Sequence, residues 1–196
     1  MGSTRPKGRR SGRAVQGCYA AALNDCGGDL EAEHFVSKAL LQQLGRSFTV
    51  NGPPGAKGGK KSGPNAFTAH VLCKRHNGAL SPVDTTAGRF YRLMLTAVSA
   101  GRIGDHEFDG DDLERWAIKL LLGAAVSNNI SDDAGRALVV SQPPLPYPQF
   151  LFGESDVSPG CGFMFASTPL EGMEEATSLS WRPLISQQGA SAEWSA

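Results

Sequence analysis

The sequence predicts an α+β fold, with a metal-stapled N-terminal half followed by helices and a small antiparallel sheet. Cysteines and histidines with metal-ligand spacing gather in the first half, while two stretches further on carry helical apolar spacing. The last third breaks into short apolar runs punctuated by Pro, Gly and Ser, the pattern of short strands. At 196 residues, 40% hydrophobic and 19% charged, the chain can bury one sizeable core, or that of a small module joined to a second small domain.

Taken in order, residues 1–14 hold Arg5, Lys7, Arg9, Arg10 and Arg13 with no acid and almost nothing apolar, which predicts a disordered basic arm. Residues 15–100 form the predicted module. Ala14 to Leu23 can make a short helix or strand before "DCGGD" forces a turn. Phe35, Val36, Ala39, Leu40 and Leu44 lie close to helical spacing, and Gly45 stands where that helix stops. The loop "NGPPGAKGGKKSGPN", residues 51–65, has no hydrophobic face to bury. "AFTAHVLC" is β-prone and leads into "KRHNGAL", after which Ser81, Pro82 and Asp84 mark a helix start, with Phe90, Leu93, Met94 and Ala97 carrying the helix to about Ala100.

Residues 101–196 form a region whose role the sequence does not reveal. Its helix "DDLERWAIKLLLGAAV" sets Leu113, Trp116, Ala117, Leu120, Leu121 and Ala124 on one face. "RALVVS", "PQFLFG", "CGFMFAST" and "LSWRPLI" then read as strands, with Cys161 a small buried hydrophobe and the last ten or so residues frayed.

The net charge of zero conceals a polarity. Residues 1–89 hold 13 Lys and Arg against 5 Asp and Glu, and residues 90–196 hold 6 against 14, so the halves carry +8 and −8. Such a basic half suits a polyanion, most simply DNA, with Arg9, Arg10, Arg13, Lys57, Lys60, Lys61, Lys74 and Arg75 as the phosphate contacts. The two halves neutralising one another across an interface is the other reading. No run reaches the length of a membrane span and "MGSTRPKGRRSGRA" lacks the apolar core of a signal peptide, so a cytoplasmic protein with no membrane partner is expected; the sequence does not set its oligomeric state.

Cys18, Cys26 and Cys73-x-x-His76 offer four soft or borderline ligands, the set that a structural zinc ion takes. Seven residues separate Cys18 from Cys26, wider than the usual knuckle. Glu33, His34 and Asn77 remain. A carboxylate and an amide oxygen suit a hard ion such as Mg²⁺ or Mn²⁺, and a neutral imidazole suits proton abstraction from water near pH 7. On an extended segment the neighbours Glu33 and His34 point opposite ways, one toward metal and one toward water.

This order of residues, Cys18, Cys26, Glu33-His34 and then "LCKRHN", resembles the HNH (His-Me finger, ββα-metal) endonucleases, particularly the zinc-ribbon type of phage endonuclease VII. The resemblance spans about residues 15 to 85. It implies a zinc-stapled ββα-metal module that hydrolyses DNA to 5′-phosphate and 3′-hydroxyl ends, with His34 as general base, Glu33 and Asn77 as ligands of the catalytic ion, and Cys18, Cys26, Cys73 and His76 around zinc. His76 stands where the family has a cysteine. Thr68 stands nearest the place of the central Asn that orients the base histidine. A second register makes His76 the catalytic metal ligand and leaves zinc with three cysteines, His70 being a spare. The rival expectations are a zinc-ribbon module that binds nucleic acid or protein without cutting, and a nuclease toxin or defence effector.

Overall fold

A computed structural model of the chain describes residues 4–50, 59–100, 106–130, 140–156, 184–187 and 190–193. The central element is an antiparallel pair, β1 (Leu30–His34) and β4 (Thr68–Cys73), running from Leu30 opposite Cys73 to His34 opposite Thr68. Glu31 faces Leu72 and Ala32 faces His70, so Val71 is an extra residue bulging from β4. Alternation therefore lapses, and Val71, Leu72 and Cys73 are buried one after another. The bulge is what carries Cys73 inward at the strand end, where α2 (Lys74–Ala79) begins at once.

Between these strands the chain makes α1 (Lys38–Leu41), a 3₁₀ turn at Gln42–Leu44 and a second antiparallel pair, β2 (Phe48–Val50) with β3 (Lys60–Ser62). Gly45 ends the helical stretch with φ 98°, a conformation only glycine takes without strain. After α2 follow α3 (Ser81–Ala100), α4 (Gly110–Val126), α5 (Pro146–Leu151) and a last antiparallel pair, β5 (Leu184–Gln187) with β6 (Ala190–Glu193). Asp109 caps α4 by accepting a hydrogen bond from the Asp111 N–H. The whole is a mixture of helices and small antiparallel sheets, as the sequence predicts at the level of class.

Two apolar clusters form the core. One, holding Tyr19, Leu23, Leu72, Leu80 and Phe152, surrounds the cysteines; the other, holding Leu40, Val83, Ala87 and Tyr91, lies under α1 and α3. Helix α4 belongs to both, through Leu122 in the first and Trp116 in the second. Its buried stripe overlaps the predicted face at Leu113, Trp116 and Ala124 and also takes in Asp112, Lys119, Leu122 and Gly123, whereas Ala117, Leu120 and Leu121 are half-buried. At Gly123 the helix approaches so closely that a Cβ would stand 2.2 Å from Phe35 Cβ.

Three further expectations need correction. "PQFLFG" is helix α5 rather than a strand: proline in the first turn fixes helical φ and supplies no donor for a sheet. The C-terminal stretch expected to fray contains β6. The basic arm expected to be disordered has neither helix nor strand, but from Thr4 onward it lies against the body. Arg5 donates to the Gly153 carbonyl at 2.7 Å and the Cys26 N–H donates to the Arg13 carbonyl at 2.9 Å. Exposed backbone polar groups that find partners this way need no apolar face of their own. Of the predicted C-terminal strands, "CGFMFAST" with Cys161 and most of "RALVVS" lie outside the described residues. Among the described residues no helix is long and apolar enough to cross a membrane.

Candidate functional site

Cys18, Cys26, Cys73 and His76 are all buried and their ligand atoms lie within 4.8 Å of one another. The wide Cys18–Cys26 spacing is explained locally. A 3₁₀ turn at Ala21–Leu23 followed by Asn24 in the left-handed region (φ 51°) folds the intervening residues back, so both sulfurs face one point. The bulged strand supplies Cys73, and one turn of α2 brings His76 beside it. His76 Nδ1 lies 3.3, 3.5 and 3.8 Å from the sulfurs of Cys73, Cys18 and Cys26. An ion with Zn–S near 2.3 Å and Zn–N near 2.0 Å in tetrahedral geometry requires N···S edges of roughly 3.5 Å, so the donor set fits. This buried Cys₃His cluster could hold a metal such as zinc.

The protonation states agree with that fit. Burial lowers the His76 pKa to about 4, so the imidazole is neutral at pH 7 and has a lone pair to offer. Burial raises the Cys18 and Cys26 thiols, each further raised by a neighbouring sulfur. A cation at the centre reverses that penalty by replacing protons. His76 lies with the three cysteines in this cluster, while His70 is exposed on β4 and is not among its members.

Around this knot the arm is knitted down. Arg75 pairs with Asp25 at 3.0 Å and donates to the Lys7 and Arg9 carbonyls at 2.7 and 3.2 Å. Asp25 also accepts from the Ser11 N–H. Burial alone would raise its pKa, but the Ser11 N–H and the Arg75 guanidinium outweigh it and hold it below the usual carboxylate value.

At the other end of the strand pair, Glu33 is buried on β1 and its Oε1 lies 2.6 Å from Lys119 Nζ. Lys119 is itself fully buried; its ammonium lies 2.6 Å from Asp84 Oδ1 and donates to the His34 carbonyl at 2.8 Å. Two of its N–H groups donate to Asp84 Oδ1 and the His34 carbonyl, while Glu33 Oε1 stands at ion-pair distance. Asp84 also accepts from the Ser37 hydroxyl. Burial raises the Glu33 pKa, with the Lys119 charge pulling the other way.

His34 is half-buried at the strand end. Its Nε2 is buried with no hydrogen-bond partner. Burial lowers the His34 pKa, helped by the Lys38 and Lys119 charges, so the neutral ring is favoured. Thr68 is exposed opposite His34, and Phe67 before it takes a left-handed φ of 60° with its ring edge-on to Phe35.

Asn77 is half-buried on α2 and donates to Glu31 Oε2 at 3.2 Å, so it is engaged with Glu31 while Glu33 is engaged with Lys119. Of the basic residues, Arg9, Arg13, Lys60, Lys61 and Lys74 are exposed; Arg10 is exposed but paired with Glu154, Arg75 is tied to Asp25, and Lys57 lies outside the described residues. Reading by sequence missed Glu31, Ser37 and above all Lys119. The available clue is position: Lys119 stands three residues after Trp116 and four before Gly123, inside the buried stripe. No family model, curated protein or solved structure matches this chain.

Proposed function

We propose that the chain is a metal-dependent HNH-type endonuclease that hydrolyses phosphodiester bonds of DNA, built on a zinc-stapled ββα-metal module. The observation that carries the reading is the state of His34 beside Glu33: burial and the Lys38 and Lys119 charges favour the neutral imidazole, and its buried Nε2 has no hydrogen-bond partner. Such a ring can take a proton from a water admitted to it when substrate binds. The resulting hydroxide attacks phosphorus, the P–O3′ bond breaks, and a proton delivered from solvent leaves a 3′-hydroxyl beside a 5′-phosphate. Further support comes from the Cys₃His cluster, which ties the Cys18–Cys26 segment to β4 and α2, and from exposed Lys60, Lys61 and Lys74, which are available to phosphates.

The cofactor of this reading is Mg²⁺ or Mn²⁺ with Glu33 and Asn77 as ligands, and when bound it supplies positive charge to the phosphate. As they stand the two side chains are committed to different partners, Lys119 and Glu31, and do not form a shared donor set. That commitment favours one second reading, a zinc-stapled module that binds nucleic acid without cutting. Plasmid nicking with Mn²⁺ separates the two. The wild type is expected to nick, and His34→Ala to lose at least about a hundredfold in rate while keeping its fold and zinc. Because the His34 pKa is lowered, the acid limb of the rate profile is expected below ~6.5. A wild type that nicks no plasmid, linear duplex, branched DNA or RNA overturns the nuclease reading.

A further inference from the structure

Lys119 belongs to α4, outside the predicted module of residues 15–100, yet its ammonium contacts the Glu33 side chain and the His34 backbone. Taking an ammonium wholly out of water is costly, and an apolar residue in its place is often no worse for stability. Packing alone therefore gives little reason for a lysine here. The three oxygens it meets come from β1 and α3, so the charge ties the strand end carrying Glu33 and His34 to two helices at once. The ammonium also lies 2.6 Å from carboxylate oxygens of both Glu33 and Asp84. Hard divalent ions sit at roughly 2.0–2.6 Å from such oxygens, so an ion on Glu33 Oε1 and the ammonium in its present place exclude one another. Glu33 and Asp84 together outweigh Lys119 by one negative charge, which leaves an attraction for a cation that the lysine only partly answers.

Resting on the nuclease reading above, we infer that Lys119 is a positioning residue of the Glu33–His34 pair, and that a divalent ion reaches Glu33 only in competition with its ammonium. The lysine holds the carboxylate and the histidine backbone in place before the ion arrives. It also sets how tightly the ion can bind.

The test is Mn²⁺ binding followed by electron paramagnetic resonance on the zinc-loaded full chain, alongside plasmid nicking at saturating Mn²⁺. Manganese prefers oxygen ligands and leaves the thiolate site to zinc. Lys119→Met is expected to bind Mn²⁺ about tenfold tighter or more, with the gain abolished by adding Glu33→Gln, and to turn over about tenfold slower or worse. A purely structural lysine would weaken both properties together. If Lys119→Met does not fold, Lys119→Met/Asp84→Asn keeps the cluster's net charge and is compared with Asp84→Asn in the same two measurements. Unchanged or weaker Mn²⁺ binding in the folded variant, or turnover that rises with the tighter ion, overturns the inference. A wild type that cuts nothing defeats the nuclease reading alone, and the Mn²⁺ titration still decides whether ammonium and ion compete.

Discussion

The strand pair β1–β4 carries a polar cluster at each end. At the Leu30–Cys73 end stand three sulfurs and a neutral imidazole, soft donors arranged around a shared centre. At the His34–Thr68 end, roughly 14 Å away along the strands, stand two carboxylates, a hydroxyl and a carbonyl, hard donors gathered around the chain's own ammonium. The first leaves its central charge to a metal, and the second supplies one internally. The two ends of one strand pair thus gather buried polar atoms in opposite ways, and the second carries its own cation.

That difference can be broken most forcefully by taking metal away. Chelation of the zinc-loaded chain, or Cys73→Ala, is expected to cost on the order of 10 kcal/mol and to abolish the cooperative thermal transition. Metal analysis should find one zinc per chain beforehand. An unchanged melt after complete chelation contradicts the staple. A smaller effect sharpens the contrast: Glu33→Gln leaves Lys119 paired with Asp84 but removes its second ion pair, and is expected to cost about 2–3 kcal/mol, measured by denaturant titration. Its zinc content should stay at one per chain, because the two clusters share no side chain; loss of zinc would show that they are one site. Smallest is Gly123→Ala. Alanine favours a helix by ~1 kcal/mol, yet its methyl would meet Phe35 at 2.2 Å, so a net loss of about 1–3 kcal/mol is expected. A stabilised variant would mean that α4 does not lie as close to the strand end as described.

The two clusters also differ in how far sequence could reach them. The cysteines were legible because each is a rare, chemically unambiguous residue, and because Cys73 and His76 sit one helical turn apart. The helices α3 and α4 were legible through period and caps. Lys119 was not: it lies 85 residues from His34, and a lysine in a helix ordinarily reads as a solvated position. Its burial is decided by which face of α4 meets the strand pair, and Gly123, by allowing close approach, fixes that face. Asp84 was half legible. It was placed correctly in the first turn of α3, where acids favour the helix, but its ion pair depends on the same distant lysine. The arm misled through composition. Its lack of apolar residues does preclude helix or strand, but Arg75 and Asp25 supply partners to its backbone that composition cannot reveal.

Helix α4 finally bears on how portable the N-terminal half is. A fragment ending at Ala100 would keep every residue of the sequence motif, together with the whole metal knot. It would nevertheless lose Lys119, leaving Glu33 in a low-dielectric setting without its cation, and would strip the cover from Phe35 beside His34. Phe152, whose ring centroid lies 4.7 Å from that of His76, comes later still, so a piece that keeps both clusters intact runs at least through Phe152, well past the boundary suggested by motif.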